Sequence, residues 1–312
     1  MLLLLLAAAL AGAGFVVSER WGHGHAGPKE AKAAPVALPK PKPKPRPAAK
    51  APPPLHLLVA GPRAHHVFRP PIGASGAILV DAGTGRVLWA KRPHARLLIA
   101  SLTKIMTATL ALERLPLGRH VAIRKVVTRV ALVREGLRPG ERPAAWKLLY
   151  GLLLYSGNDD ALALALGSAG SRGAFIDLMN AKARQLGLSD THFTTPSGVV
   201  DRGNRSSAWD LAALTRYAMR DPRFRRIVRT RIAHIRWSAP TFEKVYVNKN
   251  DLLRTYRGAD GVKTGWTTLA GHCLVASAHR HGRRLIAVVL RSPNPYGDAT
   301  RLLNFGFRQP ST

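Results

Sequence analysis

Apolar and polar positions change their period several times along the chain, and each change marks an element. Leu2 to Val17 is an apolar run without a charge, and Pro28 to Pro54 is built of Pro, Lys and Ala. Beyond residue 70 the pattern becomes that of a packed domain. Ala77–Val80 and Arg86–Trp89 flank the glycine-containing stretch Asp81-Ala82-Gly83-Thr84-Gly85, which predicts a hairpin. In Ser101–Leu115, Leu102, Ile105, Met106, Leu110 and Leu112 mark a largely buried helix. Helical patterns continue over 144–155, 159–166, 174–186 and 208–219. Gly271–His279 and Arg283–Arg291, joined by His281-Gly282, are apolar runs that predict strands, and a last helix is expected near Asp298–Phe305. Strands at both ends with helices between them predict an α/β (α+β) domain. Its antiparallel sheet pairs the first and last segments and carries helices on its faces.

Three regions follow. Residues 1–17 are expected to be a signal peptide or an N-terminal anchor. The apolar run is short for a membrane span of about 20 residues, and Ala9, Ala11 and Ala13 supply the small residues that a signal peptidase needs. A basic n-region is missing, so a start further upstream and an uncleaved anchor both stay open. Residues 18–70, with Pro39-Lys40-Pro41-Lys42-Pro43-Lys44-Pro45-Arg46-Pro47 at their centre, are expected to be an extended, disordered cationic linker. Residues 71–312 are expected to form the remaining, packed domain. The expected location is exported, in the periplasm, on the extracytoplasmic face or in the cell wall.

Charge narrows the partners. The chain has 48 Lys+Arg against 17 Asp+Glu, a formal net charge of +31. Residues 18–70 hold ten basic and two acidic residues, so the folded part, with 38 against 15, is itself strongly basic. Such a surface attracts polyanions. The basic residues are scattered without a nucleic-acid-binding motif, which leaves anionic cell-wall polymers or a membrane surface as the expected partners and no nucleic acid. Cys273 is the only cysteine, so no internal disulfide forms, and its apolar strand makes it a small buried hydrophobe. The twelve histidines, including His23, His25, His65 and His66, show no metal-ligand spacing. No metal and no cofactor is expected.

Three short motifs carry chemistry. Ser101-Leu102-Thr103-Lys104 puts a hydroxyl and an amine on one helix face, a turn apart. A serine becomes a nucleophile when a base takes its proton, and a lysine is that base when burial or a neighbouring cation lowers its pKa. Alone, this spacing also fits a capped helix start with a surface lysine. Ser156-Gly157-Asn158 follows the apolar helix ending in Leu154-Tyr155 and offers a second hydroxyl and a carboxamide at a helix junction. Lys263-Thr264-Gly265, followed by Trp266 and Thr267, looks like the end of a strand where Gly265 admits a ligand backbone and Lys263 and Thr264 face a carboxylate.

In that order the three motifs resemble the signature of penicillin-binding proteins and serine β-lactamases. Residues 73–307 resemble more closely the low-molecular-weight D-alanyl-D-alanine carboxypeptidases of peptidase family S11. Ala100–Ala108, Tyr155–Ala161, Phe175–Asn180, Leu186–Leu188, Thr191–Phe193, Pro196–Gly198, Ser206–Leu211, Asp260–Gly265 and Ala270–Val275 carry that likeness. The resemblance implies a serine β-lactamase/penicillin-binding-protein-like fold with an antiparallel sheet of about five strands. It implies that Ser101 attacks the bond between the two terminal D-alanines of a peptidoglycan stem peptide, that Lys104 takes the proton, and that Ser156 relays it to the leaving amine. Asn158 would hold Lys104 and the substrate amide. Lys263 would keep Lys104 neutral and, with Thr264 and Thr267, bind the terminal carboxylate. The backbone N–H groups of Ser101 and Trp266 would form the oxyanion hole, with Gly265 leaving room for substrate. β-Lactams would acylate Ser101 as covalent inhibitors.

The family's arginine before the last helix is replaced here near Pro295, with Arg291 the candidate to stand in. That departure keeps a D,D-endopeptidase, which cuts cross-links, as the alternative. A β-lactamase is disfavoured because no E-x-x-L-N-like segment lies between Ser156 and Lys263. A non-enzymatic basic wall- or nucleic-acid-binding protein is disfavoured because every motif residue is intact.

Overall fold

The computed structural model describes residues 57–59, 70–199, 203–237 and 242–310. The expected signal or anchor at 1–17 and nearly all of the linker at 18–70 lie outside these residues. One correction falls inside the linker: Leu58–Val59 is a strand, β1, and pairs in parallel with Arg86–Val87.

The remaining strands are β2 (Gly76–Asp81), β3 (Arg86–Lys91), β4 (Leu97–Leu98), β5 (Arg205–Ser206), β6 (Ile232–Ile235), β7 (Lys244–Val247), β8 (Ala259–Thr267), β9 (Gly271–Arg280) and β10 (Arg283–Ser292). The helices are α1 (Lys104–Arg114), α2 (Ala145–Tyr150), α3 (Asn158–Ala169), α4 (Arg172–Gln185), α5 (Ala208–Ala218), α6 (Pro222–Val228), α7 (Leu252–Thr255) and α8 (Pro295–Arg308). The main sheet runs β1-β3-β2-β10-β9-β8. Its five longer strands are antiparallel, and β2 pairs with β10, as with Ile78 opposite Val288. The expected closure of the two chain ends onto one sheet is therefore present.

Leu285-Ile286-Ala287-Val288-Val289-Leu290 is apolar throughout because both sheet faces are covered. Ile286, Val288 and Leu290 pack with the helical body that contains α1, α3 and α5. Leu285, Ala287 and Val289 pack with Leu302 and Leu303 of α8. Two elements had no clear signature in the sequence. The short hairpin β6–β7 has four-residue strands, and α6 is a seven-residue helix.

The helical pattern at 144–155 resolves into two parts. α2 ends at Tyr150, and Gly151–Tyr155 continues as a wider π-turn that stops at Ser156, whose φ is 74°. π-turns inside helices are often found at functional sites.

Asp298 fastens α8 to the start of the sheet. Its side chain accepts N–H bonds from Gly73 (3.2 Å) and Ala74 (2.9 Å), a hydroxyl bond from Ser292 (2.7 Å) and a bond from Arg301 (2.5 Å). Burial pushes this carboxyl upward, but the bonds from Ser292 and Arg301 outweigh it and hold its pKa below the ordinary value. A depressed folded pKa stabilises above the unfolded value and is lost as pH falls through the folded one. We expect Asp298→Ala to cost roughly 1–3 kcal/mol for each buried donor left bare, read from urea unfolding at pH 7. The difference from the parent should shrink once the pH falls below about 4, where an unfolded aspartate protonates.

Candidate active site

Ala100–Thr103 is a short 3₁₀ turn leading into α1. Ala100 has φ 46°, an unfavourable value for a residue with a Cβ, and it sets Ser101 at the mouth of the helix. Ser101 is half-buried, whereas Lys104 is 0% exposed. The Lys104 Nζ lies 2.9 Å from Ser101 Oγ, 2.8 Å from Asn158 Oδ1 and 3.1 Å from the carbonyl of Ser197. A neutral amine satisfies all three at once. It donates two hydrogens to the Asn158 and Ser197 oxygens, and its lone pair accepts the Ser101 hydroxyl proton.

The electrostatics favour that neutral form. Burial, and then the positive charge of Lys263, push the Lys104 pKa well below that of a free lysine; the carboxylate of Asp160 opposes them. Lys263 is 1% exposed, and burial with the nearby charge of Lys249 lowers it to about 7. Both lysines are thus pushed toward their neutral forms.

Each partner arrives on a different element. Asn158 is the first residue of α3, and its Nδ2 donates to Ala131 O at 2.8 Å, so one of its two amide hydrogens is committed to the protein. The carboxylate of Asp159 accepts N–H bonds from Glu135, Gly136 and Leu137 at 2.9–3.1 Å, which ties the 131–137 loop to the α3 start. Ser156 is buried at the end of the π-turn, with its N–H bonded to Gly151 O at 2.9 Å.

Lys263, Thr264 and Gly265 lie within β8, which runs on to Thr267 instead of ending there. A Cβ on Gly265 would lie 3.1 Å from Ile99 O and 3.2 Å from Ser101 N. The absence of a side chain therefore lets β8 press against the Ser101 turn. Trp266 is 59% exposed, and its ring lies 6.0 Å from that of His272. The Thr267 hydroxyl accepts the Ala270 N–H at 3.0 Å, so it braces the β8–β9 turn.

One part of the site had no reading as such in the sequence. The Ser197 carbonyl is held by a network around Asn204. Its Oδ1 accepts from Thr194 N (2.6 Å) and Thr195 N (3.0 Å), and its Nδ2 donates to Thr103 Oγ1 (3.1 Å). A backbone carbonyl leaves no mark in a sequence, but Pro196-Ser197-Gly198 does. Gly198 has φ +76°, and a Cβ there would overlap Ala100 O. Arg291 is the expected stand-in for the missing arginine. It is exposed, has φ 51°, and stands beside Gly271, which pairs with Thr267. Pro295 is the first residue of α8.

A serine hydroxyl set against a buried lysine amine, with a second buried lysine on an edge strand, is the arrangement of a serine acyl-transfer enzyme of the penicillin-binding type. Solved structures agree. The crystal structure of the Streptomyces K15 DD-transpeptidase is 35% identical, with a TM-score of 0.73 over 78% of this chain and 100% of that one. D-alanyl-D-alanine carboxypeptidase DacF of Bacillus subtilis is 37% identical over 77% of this chain, which spans 63% of that protein's length. DacB2 of Mycobacterium tuberculosis, also a D-alanyl-D-alanine carboxypeptidase, is 36% identical over 74% of this chain and 81% of its own. The model of the D-alanyl-D-alanine carboxypeptidase family, peptidase S11, matches residues 63–294. The chain belongs to that family.

Gly198→Ala should place a methyl into the Ala100 carbonyl and force an L-residue into a left-handed conformation. We expect it to destabilise by about 1 kcal/mol from conformation and by more from the overlap, read from urea unfolding. A stability equal to the parent's would contradict this close approach.

Proposed function

We propose that the chain is a serine-type D-Ala-D-Ala carboxypeptidase that removes the terminal D-alanine from peptidoglycan stem pentapeptides and is acylated by β-lactams. The observation that carries this reading is the contact of Ser101 Oγ with a fully buried Lys104 amine. The similarity to D-alanyl-D-alanine carboxypeptidases supports the substrate class.

In this mechanism Lys104 accepts the Ser101 proton as Oγ attacks the carbonyl carbon between the two D-alanines. The Ser101 and Trp266 N–H groups stabilise the oxyanion. Ser156 passes the proton to the departing amine, and a water molecule then attacks the acyl carbon and releases Ser101. Asn158 holds Lys104 and presents its remaining amide hydrogen to the substrate. Lys263 and Thr264 bind the terminal carboxylate, Gly265 gives the peptide access to the strand edge, and Thr267 supports the turn behind it. Arg291 adds positive potential at that end of the sheet. The strongly basic chain keeps the enzyme beside anionic wall polymers or a membrane surface, outside the cytoplasm.

The D,D-endopeptidase reading rests on the departure at Pro295, which removes one carboxylate contact. The full chain and its Ser101→Ala variant, given a pentapeptide muropeptide and a cross-linked dimer, separate the two by mass spectrometry. We expect Ser101-dependent loss of one D-alanine from the monomer. Cleavage of the dimer alone would establish the endopeptidase, and no product from either would overturn both.

The two lysines set the pH profile. Acylation needs neutral Lys104, so it rises as pH passes upward through that group's depressed pKa. Carboxylate binding needs charged Lys263, so KM should rise above a pH of about 7. In Lys263→Arg, which keeps its charge at any working pH, the alkaline rise in KM should disappear even if kcat falls. A rise that persists in that variant would remove Lys263 from the carboxylate site.

A further inference from the structure

Beneath the Ser156–Asn158 arm lies an acid pair that the mechanism above does not use. Glu135 Oε2 and both carboxyl oxygens of Asp160 are buried, and no donor bonds to any of the three. They converge on one place. A Cβ on Gly151 would sit 2.5 and 2.6 Å from the two Asp160 oxygens and closer still to Glu135 Oε2. Among the described residues the one cation bonded to the pair is Lys244, which pairs with Glu135 Oε1 and lies 4.0 Å over the Trp237 ring.

We propose that Glu135 and Asp160 share one buried proton, and that this acid pair is a positioning device for the catalytic arm which limits the negative charge beneath Lys104. Two ionised carboxylates converging on one buried place repel strongly, and retaining one proton turns that repulsion into an O–H···O bond. Among the described residues, no donor bonds to the Asp160 carboxyl. From the α3 start, the Asp159 carboxylate is fully engaged by the backbone N–H groups of 135–137. From β7, Lys244 pairs with Glu135, and the buried Tyr246 hydroxyl lies beside the same carboxylate. From α1, the Lys104 amine is committed to Ser101, Asn158 and Ser197. Burial, and then the Glu135 charge, raise the Asp160 pKa well above that of a free aspartate.

The placement gives the pair two effects. It packs against Gly151 and Gly157, and Gly151 O receives the N–H groups of both Ser156 (2.9 Å) and Gly157 (3.1 Å). The pair therefore fills the space behind the backbone that holds Ser156 in its left-handed conformation. A carboxylate here also favours a charged Lys104. The shared proton removes one negative charge from behind the base and leaves its amine free to accept the Ser101 proton.

The proton is tested without reference to activity. If the native pair holds one proton that the unfolded chain releases, the unfolding constant gains an extra tenfold per pH unit as pH rises above about 5. In Asp160→Asn the carboxamide donates to Glu135 in place of the proton. We therefore expect the slope of log K for urea unfolding between pH 5 and 6.5 to fall by about one relative to the parent. The infrared carbonyl band of a protonated carboxyl at neutral pH should vanish in the same variant. Equal slopes, or the absence of that band in the parent, would overturn the shared proton.

The effect on Lys104 rests on the proposed role of that residue as base. It is read from the pH profile of Ser101 acylation by a fluorescent penicillin. In Glu135→Gln/Asp160→Asn the acid limb should move to lower pH by roughly half a unit or more, as expected for removing one nearby charge. An unmoved limb would overturn the effect on the base, while total loss of acylation in the parent would instead count against the function proposed above.

Discussion

A lysine amine fully removed from water is the constraint around which this molecule is built. Burying a charged ammonium costs far more than burying a neutral amine, so the fold itself sets the protonation state of Lys104. That holds only if every hydrogen-bonding position of the amine is filled, because an unmatched buried polar group is also costly. Ser101, Asn158 and the Ser197 carbonyl fill them. Each arrives from a separate stretch of chain, and the 3₁₀ turn, the π-turn and the Asn204 network can be understood as devices that bring those atoms to one point.

The sheet supplies the rigid frame for that convergence. Its central strands are buried on both faces, with alternate residues of β10 packing toward α8 and toward the helical body. β8 lies at the open edge of the sheet, beside the Ser101 turn. An edge strand has unpaired backbone groups on its outer side. In this fold that edge faces Ser101, and Gly265 lets the two backbones approach closely. Backbone strain is present here as well. Ala100 and Ser156 both take positive φ, at the two hydroxyl-bearing turns of the site. Rigid surroundings are what allow such conformations to persist.

Charge is handled differently inside and outside. The exterior carries most of the basic excess. The interior opposes two lysines, Lys104 and Lys263, to a compact acidic group formed by Glu135, Asp159 and Asp160, with Lys244 as its counter-ion. The acidic group is split by function. Asp159 is saturated with backbone N–H bonds and organises a loop, whereas Asp160 has no donor at all. Two adjacent aspartates of one sequence thus meet opposite environments, because successive residues at a helix start point in different directions.

The long periodic segments were legible in the sequence, since burial of one face or both leaves a repeating apolar pattern. The hairpin β2–β3, the buried α1, the helices through α5 and the pairing of the two chain ends follow from it. The three motifs were legible because their chemistry needs particular side chains at fixed local spacing. Short elements such as α6 and β6–β7 were not, because four to seven residues carry too little periodicity, and β1 was hidden in a proline-rich stretch. Nor could the sequence assign the Ser197 carbonyl to Lys104 or join Glu135 to Asp160. A backbone oxygen has no residue identity, and the two acids stand 25 positions apart. What the sequence determined by itself was which groups are present and which neighbours they have along a helix or strand. Which of them lose water, and so which lysine is neutral and which acid keeps its proton, was decided only by tertiary packing, because solvation is a property of the assembled surroundings.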